Sequence, residues 1–272
     1  MPLELMYITN SSEIAKVAEN AGVDRIWIDL EKLGKELRQP GDTVKSDHSI
    51  EDIVKVKNVL KKSKLQVRIN PINKNSSEEI DNVIEAGAEI IMLPYFKTKE
   101  EVEYFISCVH GRVVTNILVE TKQAYENLDD ILEISGIDEM HVGLNDLHIS
   151  YGKKFMFELL ADGTVEKIAT KALEKKIPFG FGGISKIGDG MLSSEKIIAE
   201  HYRLGSTRAI LSRGFIDKNI ALINLLKFER EFCNNVHLIR EFENKLSLND
   251  YEYFLENKLQ VQKIVKEIVG RG

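Results

Sequence analysis

Two carboxylates, Glu120 and Asp146, each stand just after a short apolar run, at 113–119 and 140–142. Carboxylates delivered from neighbouring elements can hold a hard divalent cation and leave positions for water and substrate oxygens. Arg68 ends another such run and offers a planar fork that matches a carboxylate. A 2-oxo acid held between them would chelate the cation through its keto and carboxylate oxygens. The cation would then stabilise an enolate, the high-energy species of aldol chemistry. Further polar residues close other apolar runs: Asp29, Glu31 and Lys32 after 26–30, Asn70 at the end of 65–70, Thr121 after Glu120, Asn145 before Asp146, and Ser212 and Arg213 after 209–211.

Such a set needs elements that point all these ends one way. The chain alternates short apolar runs with amphipathic stretches, which reads as strand then helix, repeated. Strands are expected at 3–8, 26–30, 65–70, 90–94, 113–119, 140–142, 178–181 and 209–211. Helices are expected between them. Ser11 or Ser12 caps the first, with Ile14, Val17, Ala18 and Ala21 on its apolar face and Gly22 at its end. Ser76 with Glu79 and Thr98 with Glu101 read as capping boxes. About eight units, with no nucleotide-type glycine loop after the first strand, predict a (β/α)₈ TIM barrel rather than an open sheet. In that fold the C-terminal strand ends face the active site, so the residues above converge. Charged residues at strand ends also pair with one another, and periodicity alone does not separate that reading from a metal site.

The barrel is expected to span 1–235, with a C-terminal helical extension at 236–272. The tail carries an apolar stripe of Leu255, Leu259, Ile264, Val265, Ile268 and Val269. It reads either as a helix packed on its own barrel or as an oligomer contact, and the second is preferred because eight units already complete a barrel. A polar segment containing Pro40 and Gly41 is long for a strand-to-helix connection and reads as a lid or an insert.

The 272 residues carry a net charge of −6, with 43% hydrophobic and 29% charged side chains. Such a chain buries a sizeable core, and the acidic balance argues against a nucleic-acid partner. No apolar run is long enough to span a bilayer and no secretory signal is visible, so no membrane partner is expected. Cys108 and Cys233 lack metal-type spacing, which fits a reduced, cytoplasmic compartment.

Several segments resemble the HpcH/HpaI aldolase–citrate lyase family. They are the second-strand run from Gly22 to Glu31, the arginine strand Val67-Arg68-Ile69-Asn70, and the Glu85-to-Pro94 segment. Leu118-Val119-Glu120-Thr121 followed by Asn127-Leu128-Asp129-Asp130-Ile131 is another, and Gly143-Leu144-Asn145-Asp146-Leu147 is the last. Their order and spacing match from about Leu3 to Phe215. The resemblance implies a class II pyruvate aldolase, with Glu120 and Asp146 as ligands of Mg²⁺, Mn²⁺ or Co²⁺. It implies that Arg68 holds the pyruvate-like carboxylate or enolate, and that Gly143, Leu144 and Asn145 face the substrate through backbone amides. Asp29 and Glu31 become the acidic pair beside the metal. The expected partners are a 2-oxo acid and an aldehyde, in a homo-oligomer for which a hexamer is the implied size. The alternatives are an acyl-CoA lyase of the citramalyl or malyl type and a non-catalytic member that binds a 2-oxo acid or sugar acid.

One position departs from the family. Lys32 stands where the aldolase branch carries a histidine base, and acidic neighbours would raise a lysine's pKa rather than lower it. Lys32 is counted in the catalytic set as an ion-pair partner or an anion contact. Glu85 matches the acid that would partner the missing histidine, and His48 could substitute if its loop folds over the site. Elsewhere plainer roles are expected. His141 reads as a core residue and His148 as packing. Gly180, Gly182 and Gly183 read as sites of close backbone approach, and Arg208 and Arg213 as surface charges or anion contacts.

Overall fold

In the computed structural model, which describes residues 1–34, 47–217 and 219–270, eight parallel strands follow one another round a closed barrel. They are β1 (Glu4–Ile8), β2 (Arg25–Asp29), β3 (Lys64–Arg68), β4 (Ile90–Leu93), β5 (Val114–Val119), β6 (Glu139–Val142), β7 (Phe179–Ile184) and β8 (Arg208–Leu211). β1 pairs with both β2 and β8, so the sheet has no edge. The expected barrel is therefore the fold. The segment read as a lid or insert, and the side chain of Arg213, lie outside the described residues.

The outer layer begins with α1 (Ser12–Asn20), α2 (Ile50–Lys57), α3 (Ser76–Glu85) and α4 (Lys99–Val109). Short helices α5 (Lys122–Glu126), α6 (Leu128–Ile131), α7 (Leu144–Ser150) and α8 (Glu158–Ala161) come next. They are followed by α9 (Thr164–Glu174), α10 (Ser194–Leu204), α11 (Asn219–Ile223), α12 (Leu225–Leu246) and α13 (Tyr251–Gly270). Ser11 caps α1, accepting from the Ile14 amide. The Thr98–Glu101 capping box is present. The one expected at Ser76 is not: Asn75 occupies the cap without a side-chain bond. Ser76 Oγ instead accepts from the Asn73 amide, and Glu79 turns away to Asn70.

Side chains alternate along a strand, so every second residue lines the barrel's inside. Three layers result. At the N-terminal ends Arg25 pairs with Glu139 and Glu4, and Arg208 Nη2 lies 2.8 Å from Glu139 Oε2. Asn116 Nδ2 also donates to Glu139, at 2.9 Å. Arg208 is thus buried at the end of the barrel away from the site, and is neither a surface charge nor a substrate contact. Above this layer Trp27, Met92 and Leu118 pack with Ile8 and Ile210. Asp29, Arg68 and Glu120 continue the same inward faces at the top.

The glycines of β7 admit close neighbours. A Cβ on Gly180 would come within 2.6 Å of the Arg208 carbonyl oxygen and 2.7 Å of His141 Nδ1. His141 is a core residue, as expected, with Nε2 3.2 Å from the Gly182 carbonyl. Burial pushes its pKa from 6.5 down to about 3. His201, stacked on Phe181 with ring centroids 3.8 Å apart, is also pushed well below the ordinary value by burial. In the unfolded chain both rings protonate near pH 6.5, while the folded ones stay neutral. Stability present above pH 6.5 is therefore lost as pH falls below it, by about 1.4 kcal/mol per pH unit for each ring. Thermal melts between pH 7.5 and 5 should show a falling Tm; a flat Tm would mean the rings are not held neutral.

The C-terminal part closes the barrel and then covers it. α12 runs through position 235, the expected boundary, because Phe228, Phe232, Val236 and Ile239 keep a helical spacing across it and are all buried. Phe232 packs edge-on against Tyr7 of β1, with centroids 5.0 Å apart. Glu243 Oε1 accepts from the Leu3 amide at 2.7 Å, tying the helix to the start of the chain. α13 lies against α8 and α10 of its own barrel, burying Asn257, Val261 and Val265, while Leu255 and Leu259 face outward. Among the described residues no helix is long and apolar enough to cross a membrane.

Candidate active site

Arg68 is the centre of the polar group at the C-terminal strand ends. Register places it beside Asp29 on the neighbouring strand. Its Nε and Nη2 donate to the two Asp29 carboxylate oxygens, both at 2.8 Å. Glu31 Oε2 lies 3.4 Å from Nη2. The guanidinium sits over the Trp27 ring, 5.2 Å from its centroid. Burial alone would lower the Arg68 pKa, but the charges of Asp29, Glu31 and Glu120 outweigh it and raise it. The fork expected to grip a substrate is therefore spent on Asp29. The Nη1 edge donates no hydrogen bond to the described residues and is what remains for an anionic oxygen.

A second group holds the chain that leaves β2. Asn70 Oδ1 accepts from the amides of Lys32, at 2.9 Å, and Leu33, at 3.0 Å. Asn70 is itself held by Glu79 Oε1, which accepts from its amide and its Nδ2. Burial raises the Glu79 pKa despite those bonds. The α3 carboxylate near the strand ends is thus Glu79. Glu85, which matches the acid of the missing histidine, is exposed at the other end of α3, because the helix runs antiparallel to the strands and its last turn delivers the chain to the start of β4. Lys32 turns outward. Its Nζ lies 2.9 Å from Asp47 Oδ1, and the side chain is 57% exposed. It is not brought to Asp29 or Glu31, which corrects its place in the catalytic set and leaves the ion-pair role. His48 is buried, and its Nδ1 accepts from the Asp29 amide at 3.0 Å.

The third group surrounds Glu120. One step beyond the paired Val119 and Val142, Glu120 and Gly143 lie side by side. A Cβ on Gly143 would stand 2.8 Å from both Cβ and Oε2 of Glu120, so only glycine leaves this carboxylate its room. The other carboxylate oxygen accepts from the Tyr95 amide at 2.9 Å. Tyr95 holds a left-handed backbone with φ 50, uncommon for a bulky residue and the kind of strain that collects at functional sites. Asp146 lies in the first turn of α7, whose N-cap is Gly143. The Gly143 amide does not face the site as expected: it donates to the Val119 carbonyl at 3.0 Å, continuing the barrel ladder. Leu144 and Asn145 begin α7, where amides have no acceptor within the helix. Leu144 packs its side chain inward and Asn145 is exposed.

Among the described residues no three His, Cys, Asp or Glu side chains form a metal-ligand cluster. The candidate holder is the pair Glu120 and Asp146, on either side of Gly143. A buried carboxylate in a cradle that a Cβ would fill, with Asp146 in the first turn of the helix that follows Gly143, supplies oxygen donors of the kind a hard divalent cation takes. The strand pattern pointed to Arg68, Asp29 and Glu120. Glu79 and Tyr95 were missed. Glu79 reads as a cap along the chain, and no local signal marks a Tyr whose amide donates to a carboxylate on the next strand.

Residues 5–158 match the family described as HpcH/HpaI aldolase/citrate lyase. Among curated relatives, 2-keto-3-deoxy-L-rhamnonate aldolases of Klebsiella pneumoniae subsp. pneumoniae and Salmonella paratyphi B are 26% and 25% identical. Each match covers 53% of this chain, and the chain spans 60% of the length of those relatives. Solved structures of similar fold include an HpcH/HpaI aldolase from Desulfitobacterium hafniense DCB-2, with TM-score 0.60, 16% identity, and 85% of this chain and 92% of that one covered. The citrate synthase SbnG aligns with TM-score 0.62 and 15% identity over 84% of this chain and 94% of its own. With the barrel closed and the match covering residues 5–158, the chain belongs to the HpcH/HpaI aldolase/citrate lyase family.

Proposed function

We propose that this protein is a class II aldolase that cleaves or forms 4-hydroxy-2-oxo acids through a pyruvate-type enolate. The observation that carries the reading is Arg68, fixed on one edge by Asp29 and close enough to Glu120 to feel its charge, with its Nη1 edge left over. The sugar-acid substrate named for the Klebsiella relative is itself a 4-hydroxy-2-oxo acid, which supports the substrate class. A divalent cation, Mg²⁺ or Mn²⁺ with Co²⁺ as a further candidate, would be held by Glu120 and Asp146 and would supply charge stabilisation for the enolate.

The chain's own residues account for binding and orientation. Arg68 Nη1 meets the substrate carboxylate or the enolate oxygen. Asp29 and Glu31 hold the guanidinium in one plane, so it does not reorganise as charge develops. Trp27 packs beneath it. In the cleavage direction the C4 hydroxyl gives its proton to water, C4 becomes the carbonyl of the released aldehyde, and the C3–C4 bond breaks. The electron pair passes to the enolate, and C3 is then protonated to give pyruvate.

The test is release of pyruvate from a panel of 4-hydroxy-2-oxo acids with Mn²⁺, after EDTA, and with Asp146→Ala. Release that depends on the cation and falls at least 10³-fold in the variant is expected. No release from any substrate by a correctly folded, Mn²⁺-loaded protein would overturn the reading in favour of a binding protein or an acyl-CoA lyase.

A further inference from the structure

The polar layer at the N-terminal end of the barrel buries two guanidiniums against one carboxylate. Arg25 and Glu139 are 4% exposed and Arg208 6%, and Gln66 and Asn116 of the same layer are fully buried. Glu139 is heavily used: it accepts from both Nη atoms of Arg25 and from Asn116 Nδ2. Glu4, the other carboxylate here, accepts from Arg25 Nη2, but its side chain is 44% exposed and its charge is screened by solvent.

Arg208 is the group left short. Its Nη2 lies 2.8 Å from Glu139 Oε2 and its Nε 3.4 Å from Glu4 Oε2. Nε and Nη1 nevertheless donate no hydrogen bond to the described residues. Nor does Gln66 Nε2, whose amide is oriented by its Oε1, 3.3 Å from Arg25 Nη1. Buried donors of this kind are otherwise paired, and an unpaired buried charge is costly. Burial would lower the pKa of both arginines. At Arg25 the hydrogen bond and charge of Glu139 outweigh it, whereas at Arg208 burial wins and the Arg25 charge adds to it.

Two acceptors of the layer also lack donors, Asn116 Oδ1 and His141 Nδ1, the second because the Nε2–H is turned to the Gly182 carbonyl. Gly180 lets His141 and Arg208 lie this close: a Cβ there would stand 2.7 Å from His141 Nδ1 and 2.8 Å from Arg208 Cβ. Water serves such acceptors, but it does not neutralise a guanidinium.

We propose that the N-terminal end of the barrel binds one small monovalent anion of the halide kind, held by Arg208 with Gln66 Nε2 as a second donor, and with water at the remaining positions. Charge sets the class. One negative charge completes the pairing of two buried cations with one buried carboxylate, whereas a sulfate or phosphate dianion would overshoot it and face Glu139 and Glu4. The site lies at the opposite end of the barrel from Arg68 and Glu120 and is independent of the lyase reading. Its consequence is stability, since the ion joins β8 to β3, which are not neighbours in the sheet.

Two readouts test it, and both are needed. Crystals soaked in sodium bromide and measured at the bromine absorption edge should show an anomalous peak in contact with the Arg208 guanidinium. In solution, the full-length protein is melted at constant ionic strength while chloride replaces gluconate, which is too large to enter. Its Tm should rise by about 2–5 °C towards about 0.2 M chloride, because a ligand of the folded state stabilises it by mass action. Arg208→Met should remove the peak and the chloride dependence. Gln66→Leu keeps the four charged side chains and decides the matter if Arg208→Met does not fold. It should need about tenfold more chloride for the same gain, the scale of one charge-assisted hydrogen bond. An unchanged chloride requirement in Gln66→Leu, or a dependence that survives in Arg208→Met, overturns the proposal. So does a peak with no chloride dependence, which marks an adventitious ion only. A chloride dependence without a peak at Arg208 places the ion elsewhere, and neither signal means that water alone fills the layer; each result overturns it.

Discussion

Arg68→Ala should cost about 3–5 kcal/mol of stability and abolish turnover. The stability loss follows from burial. Asp29 and Glu31 are each 2% exposed, and Arg68 is held in a bidentate pair with the first and within 3.4 Å of the second. Removing the cation strands two buried carboxylates, and breaking a buried pair by deleting one partner carries a penalty of this order. Arg68→Lys separates stability from chemistry. An ammonium restores the charge but has no planar fork, so it cannot hold Asp29 on one edge while presenting a second edge to the substrate. We expect Arg68→Lys to recover most of the stability, while kcat/KM for pyruvate release stays about 10²–10³-fold down, the usual scale for losing one donor to a developing oxyanion. Denaturant titration with steady-state kinetics on the two variants checks this. Full activity in Arg68→Lys would show that the guanidinium is a structural counter-ion only.

Gly143→Ala should be the most damaging single methyl in the site. The backbone at this position has φ −80, which alanine adopts freely, so no strain arises from the main chain. The whole effect comes from the added Cβ, 2.8 Å from two Glu120 atoms. Glu120 is anchored by the Tyr95 amide on its other side, so it cannot retreat without losing that bond. Overpacking of this kind costs about 1–3 kcal/mol. The larger consequence is displacement of a carboxylate that would bind the cation. Calorimetric titration with Mn²⁺ should show affinity reduced about 10–100-fold, the range for disturbing the supports of metal ligands. Gly214→Ala is the control: there a Cβ would meet Ser185 at 3.6 Å, ordinary contact, and Mn²⁺ affinity should not change. Equal affinities in Gly143→Ala and wild type would remove Glu120 from the metal site.

Much of this molecule was legible along the chain because its fold repeats a local pattern. Continuous short apolar runs, alternating with helical spacing, state eight strand–helix units, and parallel closure follows from the count. The inner positions of β2 and β5 could be read two residues at a time, from Trp27 to Asp29 and from Leu118 to Glu120. The resemblance in those segments then attached chemistry to the strand ends. The family match over residues 5–158 agrees with it.

The rest depends on pairings between residues far apart in sequence. Ser76 and Glu79 have capping-box spacing, but Asn70 competes for Glu79 and wins, because it lies at the strand end where a buried carboxylate needs a donor. Arg208 looks like a surface or substrate charge until β8 closes against β1 and buries it with Glu4 and Glu139. Arg68's fork looked available until register set Asp29 beside it. His48, nineteen residues from Asp29, reaches the site only because the chain returns to cap α2 against the end of β2. Residue types and local periodicity thus determined the barrel and the list of charges at its rim. Which charge is spent on which partner, and so which edge of Arg68 is bonded to Asp29 and which nitrogen of His48 meets the Asp29 amide, was decided by the tertiary structure. Hydrogen bonds of fixed direction, buried from water, admit only one arrangement once the strands are in register.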